Sequence, residues 1–396
     1  MVAAVVAACT DDHALEASTA TASTSSTTTE PGAPSIVVLG DSVASGEGLA
    51  DGYRYHLDRT DPDRSSWEGG TDDPRWLGPY PRCHQDAGAY PFLVAREVGA
   101  GLATFACTGA TYLAGITAPE TDDQGDMRPA QFGDWTTATG LNAAYDAANP
   151  DVVVVTLGAD DVEFSSIVRY CVSGYTTAES AAVAALAAST DVVGSVLRSL
   201  VQRAPGIADA LRRGDDALRA DWPSSYCTAE HPGEPIQRLF WDRIDSGEVA
   251  DHYRELVAAI QARGRDPRYG RGKVPRIVFT TYHRPLPAGL DGDCWDAFPL
   301  SAAEQSYLES LQATMQSTLE SAVSGMPGVS VADLSHVMDG HRWCSADPWT
   351  YGLSVVWFDD PSSMAPVHPT PEGQRAIAGA VAPVVRAALA GRGPRG

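Results

Sequence analysis

The chain has 396 residues, with 28 basic side chains against 51 acidic ones, a formal charge of -23 and 44% apolar residues. At roughly 100 to 200 residues per domain this length allows one large or two ordinary domains with an ample core, and it excludes disorder for most of the chain. A nucleic-acid partner is excluded as well, because phosphate binding draws on clustered bases and those here are outnumbered and scattered, with Lys273 the single lysine.

Residues 1–8 are small and apolar and run directly into Cys9, after which Thr10-Asp11-Asp12 turns polar. Val6-Ala7-Ala8-Cys9 resembles a bacterial lipobox, in which the preceding peptide is removed and the sulfur carries a diacylglycerol. The segment nevertheless lacks the basic start and the length of a full export signal. Residues 10–34 are rich in Ser, Thr and Ala and end in Pro31-Gly32-Ala33-Pro34. Such a composition cannot offset the entropy of ordering, so residues 9–34 read as a tether. No other stretch approaches the roughly 20 apolar residues of a membrane span. The chain has seven cysteines, and a lipid on Cys9 accounts for the odd one. Cys83, Cys107, Cys171, Cys227, Cys294 and Cys344 then form an even set that allows many pairings, of which the sequential one is the simplest. Each bridge contributes about 3 kcal/mol by constraining the unfolded chain. Metal binding is the weaker reading, since no two cysteines form a Cys-x-x-Cys pair and none has a suitably spaced His.

Five short runs rich in β-branched residues follow in order: Ile36 to Leu39, Ala103 to Ala106, Val152 to Leu157, Arg276 to Thr281 and Val329 to Ala332. Continuous apolar character, rather than alternation, marks strands buried on both faces. Helical stretches lie between and after them, at Tyr90 to Val98, Asp251 to Arg263, Ala303 to Val323 and Pro371 to Ala390. Strands alternating with helices predict a parallel sheet in a three-layer α/β domain spanning 35–396. The long gap between the third and fourth runs holds the Ala-rich stretches Thr177 to Leu200 and Gly206 to Leu218. It reads as a helical insertion over about 172–262 that covers the cleft, and not as a second domain, because strands of one sheet flank it.

The first strand ends in Gly40-Asp41-Ser42. In an open α/β sheet ligands bind beyond the carboxyl ends of the strands, so a Ser in this turn projects into the site. Near the other end of the chain, Val367-His368-Pro369-Thr370-Pro371 precedes the last helix, and its prolines hold the chain extended before the helix starts. His368 therefore occupies a loop at a helix entrance, where a general base for Ser42 must come from if it lies at the same sheet edge.

Gly40-Asp41-Ser42 at the first strand, Gly109 after the second, Gly158-Ala159-Asp160-Asp161 after the third and His368-Pro369 before the last helix resemble, in order, the sequence blocks of the SGNH (GDSL) hydrolases. Two further stretches are similar to the secreted actinobacterial esterases and lipases of that family. One runs from Cys83 through Ala89-Tyr90-Pro91 to Ala106-Cys107-Thr108-Gly109-Ala110-Thr111, and the other is Gly340-His341-Arg342-Trp343-Cys344 before Trp349. The resemblance implies a flavodoxin-like fold with a central five-stranded parallel sheet, Ser42 as nucleophile and His368 as general base. It also implies an oxyanion hole built from the N–H groups of Ser42 and Gly109, with disulfides and export.

Two positions depart from that pattern. The family carries an Asn whose amide donates to the oxyanion where this chain has Asp160, and an ionised carboxylate there offers no donor. Removing one such donor costs on the order of 3 kcal/mol in the transition state, although a protonated Asp160 still donates, as burial would favour. The family's Asp three residues before the His is Ala365 here, which implies a Ser42-His368 dyad oriented by a main-chain carbonyl. Asp359 and Asp360 are weaker candidates for a third member.

The reaction that follows is acyl transfer to water in two steps, needing no metal or organic cofactor. The reading is therefore an extracellular or cell-surface, monomeric ester hydrolase, attached to the membrane if Cys9 is lipidated and acting on a small-molecule or lipid ester. Its alternatives are an acyltransferase on envelope glycans or lipids, and a non-catalytic binding protein that has lost oxyanion stabilisation through Asp160.

Overall fold

A computed structural model describes residues 33–49, 54–56, 66–68, 83–121, 127–128, 130–132, 145–146, 148–173, 227, 235–268, 272–287, 302–352, 365 and 367–391. In chain order these form β1 (Ser35–Gly40), α1 (Ser42–Ser45), β2 (Arg54–His56), β3 (Ser66–Glu68), α2 (Tyr90–Val98), β4 (Gly101–Thr104), β5 (Glu120–Thr121), β6 (Met127–Arg128), β7 (Val152–Thr156), α3 (Phe164–Ser173), α4 (Pro235–Asp245), α5 (Glu248–Arg265), β8 (Arg276–Thr280), α6 (Ala302–Val323), β9 (Val329–Ala332) and α7 (Pro371–Ala390).

The central sheet has five strands in the order β4-β1-β7-β8-β9, and every neighbouring pair is parallel. This is the flavodoxin-like order, in which the chain adds one strand to one side of β1 and then reverses to build on the other. Two antiparallel pairs, β2 with β3 and β5 with β6, stand apart from it.

Successive side chains on a strand face opposite ways, and here both sets are apolar. Val37, Leu39, Val153, Val155, Ile277 and Phe279 share one cluster with Leu256 and Ile260 of α5 and Leu308 and Leu311 of α6. Ile36, Val38, Val152, Val154 and Val278 share the other with Tyr90 and Val94 of α2 and Ile377 and Val381 of α7. The sheet is thus the middle of three layers, which is why its strands read as unbroken apolar runs.

The second strand starts at Gly101, two residues before the expected run. Gly101 pairs with Ser35, and a glycine carries no apolar signal. The ladder still continues beyond β4, since Phe105 N donates to Val38 O at 2.8 Å and Cys107 N to Gly40 O at 2.9 Å.

The expected insertion, over about 172–262, ends inside α5. Val249, Tyr253, Leu256, Val257 and Ile260 are buried against the sheet, making α5 the crossover between β7 and β8. Residues 174–226, with the two Ala-rich stretches, lie outside the described residues, as do Cys9 and the proposed tether up to residue 32.

Two disulfides follow the sequential pairing, Cys83–Cys107 and Cys171–Cys227. Cys344 is also disulfide-bonded, and Cys294 lies outside the described residues. Among the described residues no helix is long and apolar enough to cross a membrane. The Cys83–Cys107 bridge, with a sequence separation of 24, fastens the start of the described stretch before α2 to the end of the β4 ladder. Replacing both of its cysteines by Ala is expected to cost about 3 kcal/mol of unfolding free energy, read from denaturant titration.

Candidate active site

The register pairs Gly40 with Thr156, so the turns after β1 and β7 leave the sheet side by side at the point where strand order reverses. Gly40 has no room for a side chain there, because a Cβ would lie 2.5 Å from Thr156 O. Gln131 clamps the same residue from above, its Oε1 accepting from Gly40 N and its Nε2 donating to Gly40 O, both at 2.8 Å. Asp41 then caps α1, accepting from Val43 N at 3.0 Å. Ser42, the first residue of this short helix, is left partly exposed above a buried layer of hydroxyls. In that layer Tyr90 Oη lies 2.6 Å from Thr156 Oγ1, which lies 2.8 Å from Thr280 Oγ1.

His368 reaches the same edge from the loop before α7. Tyr351 N donates to His368 O at 2.8 Å, Val367 N to Tyr351 O at 3.1 Å and Thr370 N to Trp349 O at 2.9 Å, so the loop is held by a short antiparallel contact. Thr370 caps α7, and Gln374 one turn later accepts from Tyr90 N at 2.9 Å and donates to Val43 O at 3.1 Å. The His368 loop and the Ser42 helix are thereby tied to one another. The result is a Ser42 Oγ to His368 Nε2 distance of 2.7 Å.

Ala365, where the resemblance expects an Asp, is fully buried. A Cβ on Gly48 would stand 2.5 Å from the Ala365 methyl, so the Gly48 backbone packs directly on that side chain. Asp359 and Asp360 lie outside the described residues.

Gly109 lies in the turn after the β4 ladder, pinned by the Cys83–Cys107 bridge and by Ala110 N donating to Cys107 O at 3.2 Å. Three residues on, Tyr112 N donates to Asp161 Oδ1 at 3.0 Å and fastens this turn to the loop after β7. Neither the Ser42 N–H nor the Gly109 N–H has an acceptor among the described residues. Unpaired main-chain donors at a sheet edge are suited to an incoming anionic oxygen.

Asp160 sits in the tight turn that follows β7, where Glu163 N donates to Asp160 O at 3.1 Å. Its carboxyl is held well above the usual carboxylate range, first by burial and then by Asp41, Asp161, Glu120 and Glu163 around it. Asp41 is pushed from the ordinary 3.8 up to about 7, again chiefly by burial, against the lowering effect of donors from Tyr282, Val43 and Ala44. Both carboxyls favour the neutral acid, and a neutral Asp160 carries an O–H that can donate.

Of the residues singled out from sequence, the structure brings Ser42 and His368 into contact and places Gly109 and Asp160 on the adjoining turns. Sequence reasoning passed over Gln131, Gln374, Tyr282 and the ionisation of Asp41. Tyr282 had a usable signal, since it stands two residues past β8 at the carboxyl edge of the sheet. Gln131 had none, as its role depends on a contact 91 residues away. No cluster of three or more His, Cys, Asp and Glu side chains suited to a metal ion occurs among the described residues.

No profile of a known protein family matches the chain. Lipase 2 of Streptomyces coelicolor is 33% identical over 147 residues, which are 37% of this chain and 46% of that protein, so the chain spans about half the length of the curated relative it matches. Among solved structures, an extracellular lipase from Streptomyces rimosus aligns over 90% of this chain and 100% of its own at 17% identity and a TM-score of 0.47. A phospholipase A1 from Streptomyces albidoflavus aligns over 90% and 99% at 18% identity, also with a TM-score of 0.47.

The raised carboxyls carry a consequence for stability. A carboxyl whose value rises on folding supports the fold as the neutral acid, fully at low pH and progressively less as pH climbs through its folded value. The melting temperature is therefore expected to fall as pH rises from about 4 through the raised value of about 7 for Asp41, and Asp160→Asn, uncharged and of equal size, to flatten that fall.

Proposed function

We propose that the chain is an SGNH (GDSL) hydrolase, whose sequence blocks it resembles at one sheet edge, and an exported serine esterase or lipase-like hydrolase acting on carboxylic esters. The observation that carries the reading is the 2.7 Å contact between Ser42 Oγ and His368 Nε2, beside two main-chain N–H groups without an acceptor among the described residues. In this reading His368 takes the Ser42 proton as the hydroxyl attacks the ester carbonyl, and the N–H groups of Ser42 and Gly109 receive the charge that develops on the carbonyl oxygen. The tetrahedral intermediate collapses as His368 returns the proton to the leaving alcohol. Water then deacylates Ser42 by the same route.

Asp160 completes the oxyanion site as the neutral acid. Its carboxyl takes the place of the amide donor that the resemblance expects, and the acids around it supply the electrostatic reason for holding the proton. Export and a cell-surface position are supported by the disulfides Cys83–Cys107 and Cys171–Cys227, which persist in oxidising compartments. A lipid on Cys9 would then hold the domain on its Ser/Thr-rich tether. Partitioning into a detergent phase, lost in Cys9→Ser, is the expected result for that anchor.

A fluorophosphonate is expected to label Ser42, and short-chain aryl esters to be cleaved, in the wild type. Ser42→Ala and His368→Ala are expected to lose cleavage by several orders of magnitude, because the pair acts as a unit. No labelling between about pH 5 and about pH 9 overturns the serine-hydrolase reading and leaves a binding protein. Partitioning of product toward an added glycan acceptor, with little free acid, replaces hydrolysis by acyl transfer. Cleavage by the wild type is expected to decline as pH rises through the raised value of Asp160. Asp160→Asn is expected to remove that decline, with a gain of up to about a few hundredfold at the alkaline end.

A further inference from the structure

We propose that Tyr282 and His283, the two residues at positions 282–283 beyond β8, are paired positioning residues that hold the nucleophile turn, the Asp160 loop and the His368 loop at fixed spacing. The proposal rests on the serine-esterase reading and adds to it two residues that touch neither substrate nor reacting atoms.

The Tyr282 hydroxyl donates to Asp41 Oδ2 and accepts from Ala159 N at 3.1 Å. Asp41 is the residue before Ser42, and its other oxygen takes Val43 N at 3.0 Å. Ala159 is the residue before Asp160. One hydroxyl therefore spans from the start of the nucleophile helix to the start of the turn that carries the third oxyanion group. Lengthening this bridge would separate the Ser42 N–H from Asp160, and both must face the same oxygen.

His283 performs the matching task on the other side. Its ring is buried, and Nε2 lies 3.1 Å from Val367 O. A carbonyl only accepts, so Nε2 carries the proton and donates, leaving Nδ1 as a buried lone pair without a hydrogen-bond partner among the described residues. Burial pulls the ring down to about 4, which keeps it neutral beside the imidazole that must gain a proton during the reaction. Val367 has φ 62°, a left-handed conformation that a β-branched residue adopts only under restraint. The His283 bond on its carbonyl, together with the Tyr351 bond on its N–H, supplies that restraint at the residue before His368.

The pair is itself fixed. Gln312 of α6 donates through Nε2 to His283 O, with Tyr282 O 3.5 Å away. Thr281, one residue earlier, accepts from Leu334 N at 2.7 Å through its hydroxyl and donates its own N–H to Ala332 O at 3.0 Å. The Tyr282 ring packs against both apolar clusters. Three catalytic loops thus take their spacing from one dipeptide mounted on the sheet and braced by a helix.

The test compares Tyr282→Phe, His283→Leu and His283→Gln with the wild type and Ser42→Ala, using a short-chain aryl ester and counting active sites by fluorophosphonate titration. Tyr282→Phe keeps the ring and is expected to lower kcat per active site about tenfold or more with KM within about twofold, since the bond lost is to an acid and serves alignment, not binding. His283→Leu is expected to show a similar loss, while His283→Gln, which keeps an N–H donor, recovers most of it. Wild-type values of kcat in Tyr282→Phe, or equal losses in His283→Leu and His283→Gln, overturn the proposal. If Tyr282→Phe does not fold, the contrast between the two His283 variants decides alone. A wild type that is neither labelled nor active overturns the esterase reading itself, whereas an active wild type with indifferent variants overturns only the positioning role.

Discussion

The parallel pairing of β1 with β7 is the constraint on which the remaining structure depends. The strand order reverses at β1, so β4 lies on one side and β7 on the other, and their carboxyl ends open on the same edge. Gly40 meets Thr156 so closely that neither turn can shift independently. The Ser42 turn, the Gly109 turn and the Asp160 loop are consequently delivered together by three adjacent strands. His368 arrives from a segment more than 300 residues later in the chain, and α7, which follows it, packs on α2 and on β7, β8 and β9. Gln374 turns that packing into registration by binding Tyr90 N and Val43 O at once.

The electrostatics of the edge are unusual in sign. Carboxyls predominate around Asp160: Asp41, Asp161, Glu120 and Glu163 lie close enough to raise its carboxyl further than burial alone. Such crowding opposes charge on any one of them, and burial opposes it further, so protons are retained where isolated acids would release them. A site that must receive negative charge on a substrate oxygen gains from this, since a neutral acid donates a hydrogen bond and an ionised one repels. The overall charge of -23 therefore describes the molecule's surface poorly as a guide to its centre.

The extent to which the site was legible differs from residue to residue. Ser42 and His368 were readable because each sits where local sequence marks a strand end or a helix entrance, and the fold sets the two 2.7 Å apart. The α2 and α7 boundaries were equally clear, since Pro91 and Pro371 lie at the first turns and apolar periodicity runs through both helices. The start of β4 was missed because Gly101 pairs without an apolar side chain. The packing of α5 on the sheet was not legible for a related reason: an amphipathic helix has the same pattern whether it packs on a sheet or caps a cleft, and only contact with Ile277 and Phe279 places it on the sheet.

What the sequence by itself determined is the order of strands and helices, the apolar character of strands covered on both faces, and the chemical types available at each strand end. Those properties are local, carried by side-chain pattern and turn chemistry over a few residues. Only the tertiary structure decided that Ala365 packs directly on Gly48, that Gln131 braces Gly40, and that Tyr282 joins Asp41 to Ala159. It also decided that the Asp160 carboxyl is raised, because desolvation and neighbouring charge arise from residues distant in the chain. Contacts of that kind depend on which surfaces the fold brings together, and no pattern within a short window of sequence encodes them.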